Sequence, residues 1–391
     1  MEKIPKVAVL IEASRSAGRG LLSGIVRYIN SNNNWACYRE PPSYTRLAGK
    51  RPLLAWLKGL NISGIIAHDH YAREIKSMIS EKTPMVIASV DTSKYPFLPT
   101  FMDDGIATGK MAAEHLLERG MVNFAYYGLR KVDVFRDRAS SFKNVIKQAG
   151  HEVHFYEQQL NLRKSSWENE LTRTADWLAS LPKPVGIMTY ADDYSQQIVE
   201  ACKVANLKIP DEVAIIGVDN DHLICNLSNP PLSSVALKYE RAGYEIAKLL
   251  DKLMNGEKMD GQKVIIEPTH VVTRQSTDTL YIDDKDVLQA VRFIHQNANR
   301  PLQVEDVINS SRLSRRALQQ KFDKILGHSI FEEIQRRHSD QIAKMLIETN
   351  LTISKIAFNL GHSGVEHISR YFRLAKGCSP SEYRKKYGTY R

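Results

Sequence analysis

The sequence changes its hydrophobic period once, near Thr273, and that change limits the possible folds more than any other feature. From residue 6 to 273, short β-branched apolar runs alternate with amphipathic stretches of helical spacing. The runs predict strands over residues 7–11, 64–67, 85–90, 124–128, 185–189, 214–218 and 264–266. Each is apolar on both faces, as strands buried in a parallel sheet must be. Helical patterns cover residues 20–30, 108–119, 167–180, 196–205 and 240–254, and some end at a glycine such as Gly120 or Gly150. Repeated strand–helix alternation predicts doubly wound α/β sheets. The stretch is long for one core, so two lobes with a cleft between them are expected, with ligands at the carboxyl ends of strands.

After Thr273 no strand-like run appears. Residues 274–286 are polar and acidic and read as a linker, and everything beyond has helical spacing. The expected organisation is a sensing domain over 1–276, a linker over 277–285 and an all-α domain over 286–391. Ser-x-x-Glu capping boxes at Ser329–Glu332, Ser363–Glu366 and Ser379–Glu382 predict helix starts, the last supported by Pro380.

Composition narrows the class. The 391 residues are 43% hydrophobic and 25% charged, which excludes wholesale disorder. No apolar run reaches a membrane span, and the run from Val7 to Ile11 is too short for a signal peptide, so a cytoplasmic protein with no membrane association is expected. Four cysteines without a C-x-x-C pair argue against a disulfide framework or zinc site, and no metal or cofactor is expected.

The formal net charge is +10, and its distribution matters more than its size. From Leu280 to Arg391 there are 19 basic and 12 acidic residues, a net of +7, while the longer front part carries only +3. A concentrated basic segment points to nucleic acid. Inside it one pattern occurs twice, from Val304 to Phe322 and from Ile353 to Phe372. Each copy has a short helix, a turn and a second helix with Leu318 or Ile368 facing inward. That is helix-turn-helix spacing, in which the second helix enters the major groove. The outward positions are Arg315, Arg316, Gln319 and Gln320 in one copy and Glu366, His367 and Arg370 in the other. Arg and Gln suit guanine and adenine edges, and Lys321, Arg373 and Lys376 suit phosphates.

Residues Ile353, Ile356, Ala357, Gly361, Ser369, Arg370, Phe372, Arg373, Gly377, Ser379, Pro380, Tyr383 and Arg384 carry a resemblance to the DNA-binding domain of AraC-family transcription regulators. That family usually has Gly-Phe in the second turn and an aromatic two residues before the Ser-Arg pair; here the residues are Gly361-His362 and His367. The front part, through Pro84–Ile87, Asp103-Asp104, Gly109 to Gly120, Phe124–Gly128, Arg138, Phe142, Ile209–Asn220 and Pro231–Val235, resembles the effector domain of LacI-type repressors. Such domains are two-lobed and periplasmic-binding-protein-like. The pairing resembles that of xylose-operon activators, which implies a regulator of double-stranded DNA responding to a sugar such as xylose. It also implies a homodimer, with RNA polymerase as a possible further partner.

A polyol ligand also follows from the residue types. Carboxylates at strand ends accept from vicinal hydroxyls, arginine donates a fork and tryptophan covers an apolar sugar face. The candidate effector residues are Glu12, Ser89, Arg138, Trp167, Asp192 and Asp219; the position before Asp192, usually Asn in the LacI-type pattern, is Ala191. Rival readings are a sugar-responsive repressor, or an enzyme holding a sugar nucleotide through Asp219 and Asp221. Gly18-x-Gly20-x-x-x-Gly24 has the wrong spacing for dinucleotide binding. No nucleophile–base–orienter set stands out, so no enzyme is expected.

Overall fold

The computed structural model describes residues 4–32, 35–39, 53–71, 77–78, 83–88, 95–128, 133–156, 166–282 and 284–387. The chain divides into two compact units, Met1–Thr279 and Leu280–Arg391.

The front unit holds two six-stranded sheets. The first takes β1 (Lys6–Leu10), β2 (Ala36–Tyr38), β3 (Gly64–His68), β4 (Met85–Ala88), β5 (Thr100–Asp103) and, from much later in the chain, β11 (Lys263–Ile266). Its order is β11-β5-β4-β3-β1-β2 and every pairing is parallel. The second takes β6 (Asn123–Tyr127), β7 (Val153–Tyr156), β8 (Val185–Thr189), β9 (Val213–Val218), β10 (Ser233–Leu237) and β12 (Pro268–Val272), in the order β12-β10-β9-β8-β6-β7. Only β12 runs antiparallel. The chain crosses between lobes after β5, after β10 and again between β11 and β12.

The helices delimited among the described residues are α1 (Ser16–Asn32), α2 (Leu53–Leu60), α3 (Gly105–Leu117), α4 (Asp133–Gln148), α5 (Trp167–Ser180), α6 (Asp192–Val204), α7 (His222–Leu227) and α8 (Tyr239–Met254). Helices α1 and α8 cover the first sheet through Leu21, Ile25, Ile246 and Leu250. Their backbones nearly touch: a Cβ on Gly24 would lie 1.9 Å from the Glu240 carbonyl oxygen. Gly20 and Gly24 therefore serve the close approach of α1 to α8, while Gly18 meets the Glu12 carbonyl.

Strands β2, β5, β7, β10 and β12 were not foreseen from the pattern. β2, β7 and β12 are sheet edges, while β5 and β10 carry Thr100, Ser233 and Ser234 in buried positions. The stretch read as a linker begins inside the front unit. Ser276 and Thr277 are fully buried, Ser276 Oγ donates to the Ile215 carbonyl at 2.6 Å, and Arg119 Nε donates to the Thr277 carbonyl at 2.7 Å.

Among its described residues the second unit has helices and no strand: α9 (Lys285–Gln296), α10 (Val304–Asn309), α11 (Arg315–Leu326), α12 (Ile330–Glu348), α13 (Ile353–Asn359), α14 (Val365–Lys376) and α15 (Pro380–Tyr387). Two small cores share α12. Ile330 and Ile334 join Val307, Leu318 and Phe322, whereas Ile342 and Leu346 join Ile356, Ile368 and Phe372. The duplication keeps its register through the second helix of each copy and the stop that follows it. Helices α11 and α14 start 50 positions apart and both end at a left-handed glycine, Gly327 and Gly377, each at φ 72°. Ser329 and Ser379 then close reciprocal bonds with Glu332 and Glu382. The third expected box is not formed. Helix α14 is capped by Gly364, without a side-chain bond, so Ser363 lies one residue outside the cap.

Glu333 is a buried charge of this unit. It is ringed by His295 (3.3 Å), His328 (2.9 Å), Arg336 (3.2 Å) and Arg337 (2.9 Å). Burial would raise its pKa, but these donors outweigh burial and hold it far below the ordinary glutamate value of about 4.5. Among the described residues no helix is long and apolar enough to cross a membrane.

Two outcomes follow for stability. Gly24→Ala is expected to lower the unfolding free energy of the front unit by about 1–3 kcal/mol in urea titrations, because the added methyl has no space. Glu333→Gln is expected to cost the helical unit about 3 kcal/mol near neutral pH. A carboxyl whose folded pKa is depressed stabilises above its unfolded value and loses that contribution as pH falls through the folded one. The gap between Glu333→Gln and the parent should therefore narrow as pH drops below about 4.5; an unchanged gap in acid denaturation series would contradict the assignment.

Candidate functional site

In the front unit, the carboxyl ends of strands from both sheets meet around Arg138. This residue lies on α4, which packs against α3 so closely that a Cβ on Gly109 would sit 2.3 Å from the Arg138 carbonyl oxygen. The guanidinium is 1% exposed. Its Nη2 bonds Asp103 Oδ2 at 2.5 Å at the end of β5 and lies 3.9 Å from Asp219 Oδ1 just beyond β9. Nη1 donates to the Tyr190 carbonyl at 2.7 Å, and the cation stands 5.1 Å from the centre of the Tyr190 ring. Tyr239 Oη, at the start of α8, donates to Asp219 Oδ1 at 2.6 Å. The Arg138 Nε–H has no hydrogen-bond partner among the described residues.

The charges are mutually dependent. Burial lowers the pKa of Arg138, yet Asp103, Tyr190 and Asp219 outweigh it and the net shift is upward. Burial raises Asp103, with Arg138 opposing. Tyr190 and Tyr239 are pushed up by burial and so stay neutral donors. The cluster thus offers two carboxylate acceptors, a guanidinium fork, two phenols and an aromatic face, which is the set needed to bind adjacent hydroxyls.

The other effector candidates are placed differently. Glu12 is exposed, two residues beyond β1, and accepts from Ser14 Oγ at 2.5 Å. Asp192 is 2% exposed; its Oδ2 accepts from the Asp221 amide at 2.6 Å and its Oδ1 lies against Gly217. Burial, then the charge of Asp219, raises its pKa strongly. Trp167 opens α5 and is 47% exposed. Ser89 falls outside the described residues. Asp103, Tyr190 and Tyr239 were missed as ligand candidates, although their positions at strand ends or a helix start supply the signal. Asp221 is occupied structurally: it caps α7 and binds the Ser16 amide (2.9 Å) and Arg19 (2.7 Å).

In the helical unit, α11 and α14 expose Arg315, Arg316, Gln320, Glu366, His367, Arg370 and Arg373, with Gln319 half-buried. Arg315 pairs with Glu305 at 2.5 Å, and Gln319 Nε2 bonds Asp323 at 2.9 Å. Two of the expected phosphate contacts are engaged within the unit. Lys321 bonds Asp284 (2.6 Å) and Asp286 (3.0 Å), and Lys376 bonds Asp340 (2.5 Å). These pairs are partly exposed, where water and salt weaken an ion pair.

Comparison with known proteins matches both parts. A family model for a periplasmic binding protein-like domain fits residues 113–277, and one for a helix-turn-helix domain fits residues 309–386. The xylose operon regulatory protein of Escherichia coli (strain K12) is 28% identical over 388 residues, covering 97% of this chain and 96% of that protein. Its namesake from Haemophilus influenzae is 27% identical over 391 residues, covering 98% and 99%. A solved structure of a xylose-binding transcription activator superposes with a TM-score of 0.61 at 26% identity, covering 99% of each chain. The chain thus joins a periplasmic-binding-protein-like α/β domain to a helix-turn-helix domain, and it resembles the xylose operon regulatory proteins along nearly its whole length.

Proposed function

We propose that this chain is a sequence-specific, DNA-binding transcription regulator controlled by a small sugar held at the Arg138–Asp219 cluster. The observation that carries the reading is the presence, in one chain, of a polyol-suited cluster between two α/β lobes and a duplicated helix-turn-helix with exposed arginines. Xylose is the proposed effector, activation the proposed outcome and the cytoplasm the proposed compartment, by similarity to the regulators above. A homodimer, with RNA polymerase as a contact on DNA, completes the proposal. The enzymatic alternative is weakened because Asp221 is committed to a helix cap and an ion pair.

Sugar acts by preferring one arrangement of the lobes, since a ligand shifts an equilibrium only through unequal affinity for its states. The route out of the sensor is physical. Arg274 Nη2 donates to Asn220 Oδ1 at 2.8 Å, so the segment leaving the domain is bonded to the residue after Asp219. Asp219 and Asn220 both hold positive φ, at 97° and 49°, in a turn with little freedom to relax.

The reading is tested by mobility shift on DNA from upstream of sugar-use genes, with and without xylose. Xylose is expected to change occupancy, and no response to any pentose or hexose would remove the sensor assignment. Asp219→Asn should weaken the sugar response about 10- to 100-fold, the value of a hydrogen bond to a charged group. Arg370→Ala should cost about 1–3 kcal/mol on the specific site and relax preference at one base; unaltered specificity would take Arg370 out of the reading surface.

A further inference from the structure

Three histidines connect the interior of the helical unit with its second reader helix. His338, buried on α12, places Nδ1 2.8 Å from the Ala298 carbonyl oxygen. Its Nε2 lies 2.8 Å from Nε2 of His362, in the turn before α14. His362 Nδ1 lies 3.2 Å from Nδ1 of His367, which is exposed on α14. The Tyr371 ring packs on both inner histidines, at 5.4 Å from His338 and 5.7 Å from His362.

The proton positions along this line can be deduced. A carbonyl oxygen only accepts, so His338 carries its proton on Nδ1. A neutral imidazole has one N–H, so His338 Nε2 is bare and His362 must donate from Nε2. That leaves His362 Nδ1 bare, and His367 must donate to it from Nδ1. Burial lowers the pKa of His338, and burial with the neighbouring rings brings His362 down to about 4, which keeps both in the neutral forms required.

We propose that this relay locks His367 in its Nδ1–H tautomer, so that Nε2 offers the major groove a hydrogen-bond acceptor and selects a base with an amino donor, N4 of cytosine or N6 of adenine. An unconstrained imidazole would be open to either tautomer and would discriminate less. His338 and His362 are positioning residues and His367 the specificity-determining one. The proposal rests on the DNA-binding reading, and its test separates the two.

Full-length protein isotope-labelled at the imidazole nitrogens, assigned by difference against His362→Phe and His367→Gln, reports the tautomer without DNA. At mildly alkaline pH His367 is expected to show a protonated Nδ1 and a bare Nε2; the reverse tautomer overturns the relay alone. Selection from randomised duplexes tests the consequence. Phenylalanine at 362 restores the residue that the AraC-type pattern usually has in this turn, so His362→Phe is expected to fold. It should lose about tenfold of the preference for cytosine or adenine at one position and keep the others. Unchanged relative preference at every position overturns the proposal, even where overall affinity falls. A parent protein that enriches no sequence removes the DNA-binding reading, and this proposal with it.

Discussion

A guanidinium withdrawn from water costs several kcal/mol unless counter-charge is supplied at close range. Arg138 meets that demand with carboxylates from both sheets, Asp103 at the end of β5 and Asp219 just beyond β9. The relative placement of the lobes is therefore tied to an electrostatic requirement as well as to packing. On the proposed reading, a polyol entering the cluster exchanges hydrogen bonds with groups from both sheets, so a small ligand acts on both lobes at once. Neutral Tyr190 and Tyr239 keep the balance by offering hydrogen bonds without adding charge.

The helical unit follows a different principle. Its stability is divided between two small cores, each built on one half of α12, and each core supports one reader helix. The repeated glycine stop and serine start after α11 and α14 give both copies the same exit geometry. Side-chain chemistry then differs where the backbone does not: Arg316 and Gln320 on one helix, Glu366, His367 and Arg370 on the other.

Much of this was legible because burial writes itself into hydrophobic period. The runs at residues 7–11, 185–189 and 214–218 became interior strands, and the two helix-turn-helix copies were found from a repeated short helix, turn and second helix with Leu318 or Ile368 inward, in the basic segment. What escaped did so for local reasons. Edge strands such as β2 have one unpaired side and need no apolar run, and β10 satisfies buried serines by hydrogen bonds, so it does not look like a core strand. Residues 274–277 are polar because they bond the second lobe, which composition cannot distinguish from a solvated linker. Within the cleft, Arg138 and Asp219 could be named from resemblance and position, whereas Asp103, Tyr190 and Tyr239 are defined by distances to a residue far away in sequence. The histidine relay joins residues 298, 338, 362 and 367, and no spacing rule connects them.

Helix α12 has a consequence for the DNA itself. One continuous helix of 19 residues separates the two readers, so their offset is a fixed length and a fixed phase. Each residue of an α-helix advances about 1.5 Å and turns about 100°. Adding or removing one residue would swing the second reader out of the groove face used by the first, with every base-contacting side chain intact. On the proposed reading, the spacing between the two halves of an operator is thus set by the length of α12, separately from the side chains that read it.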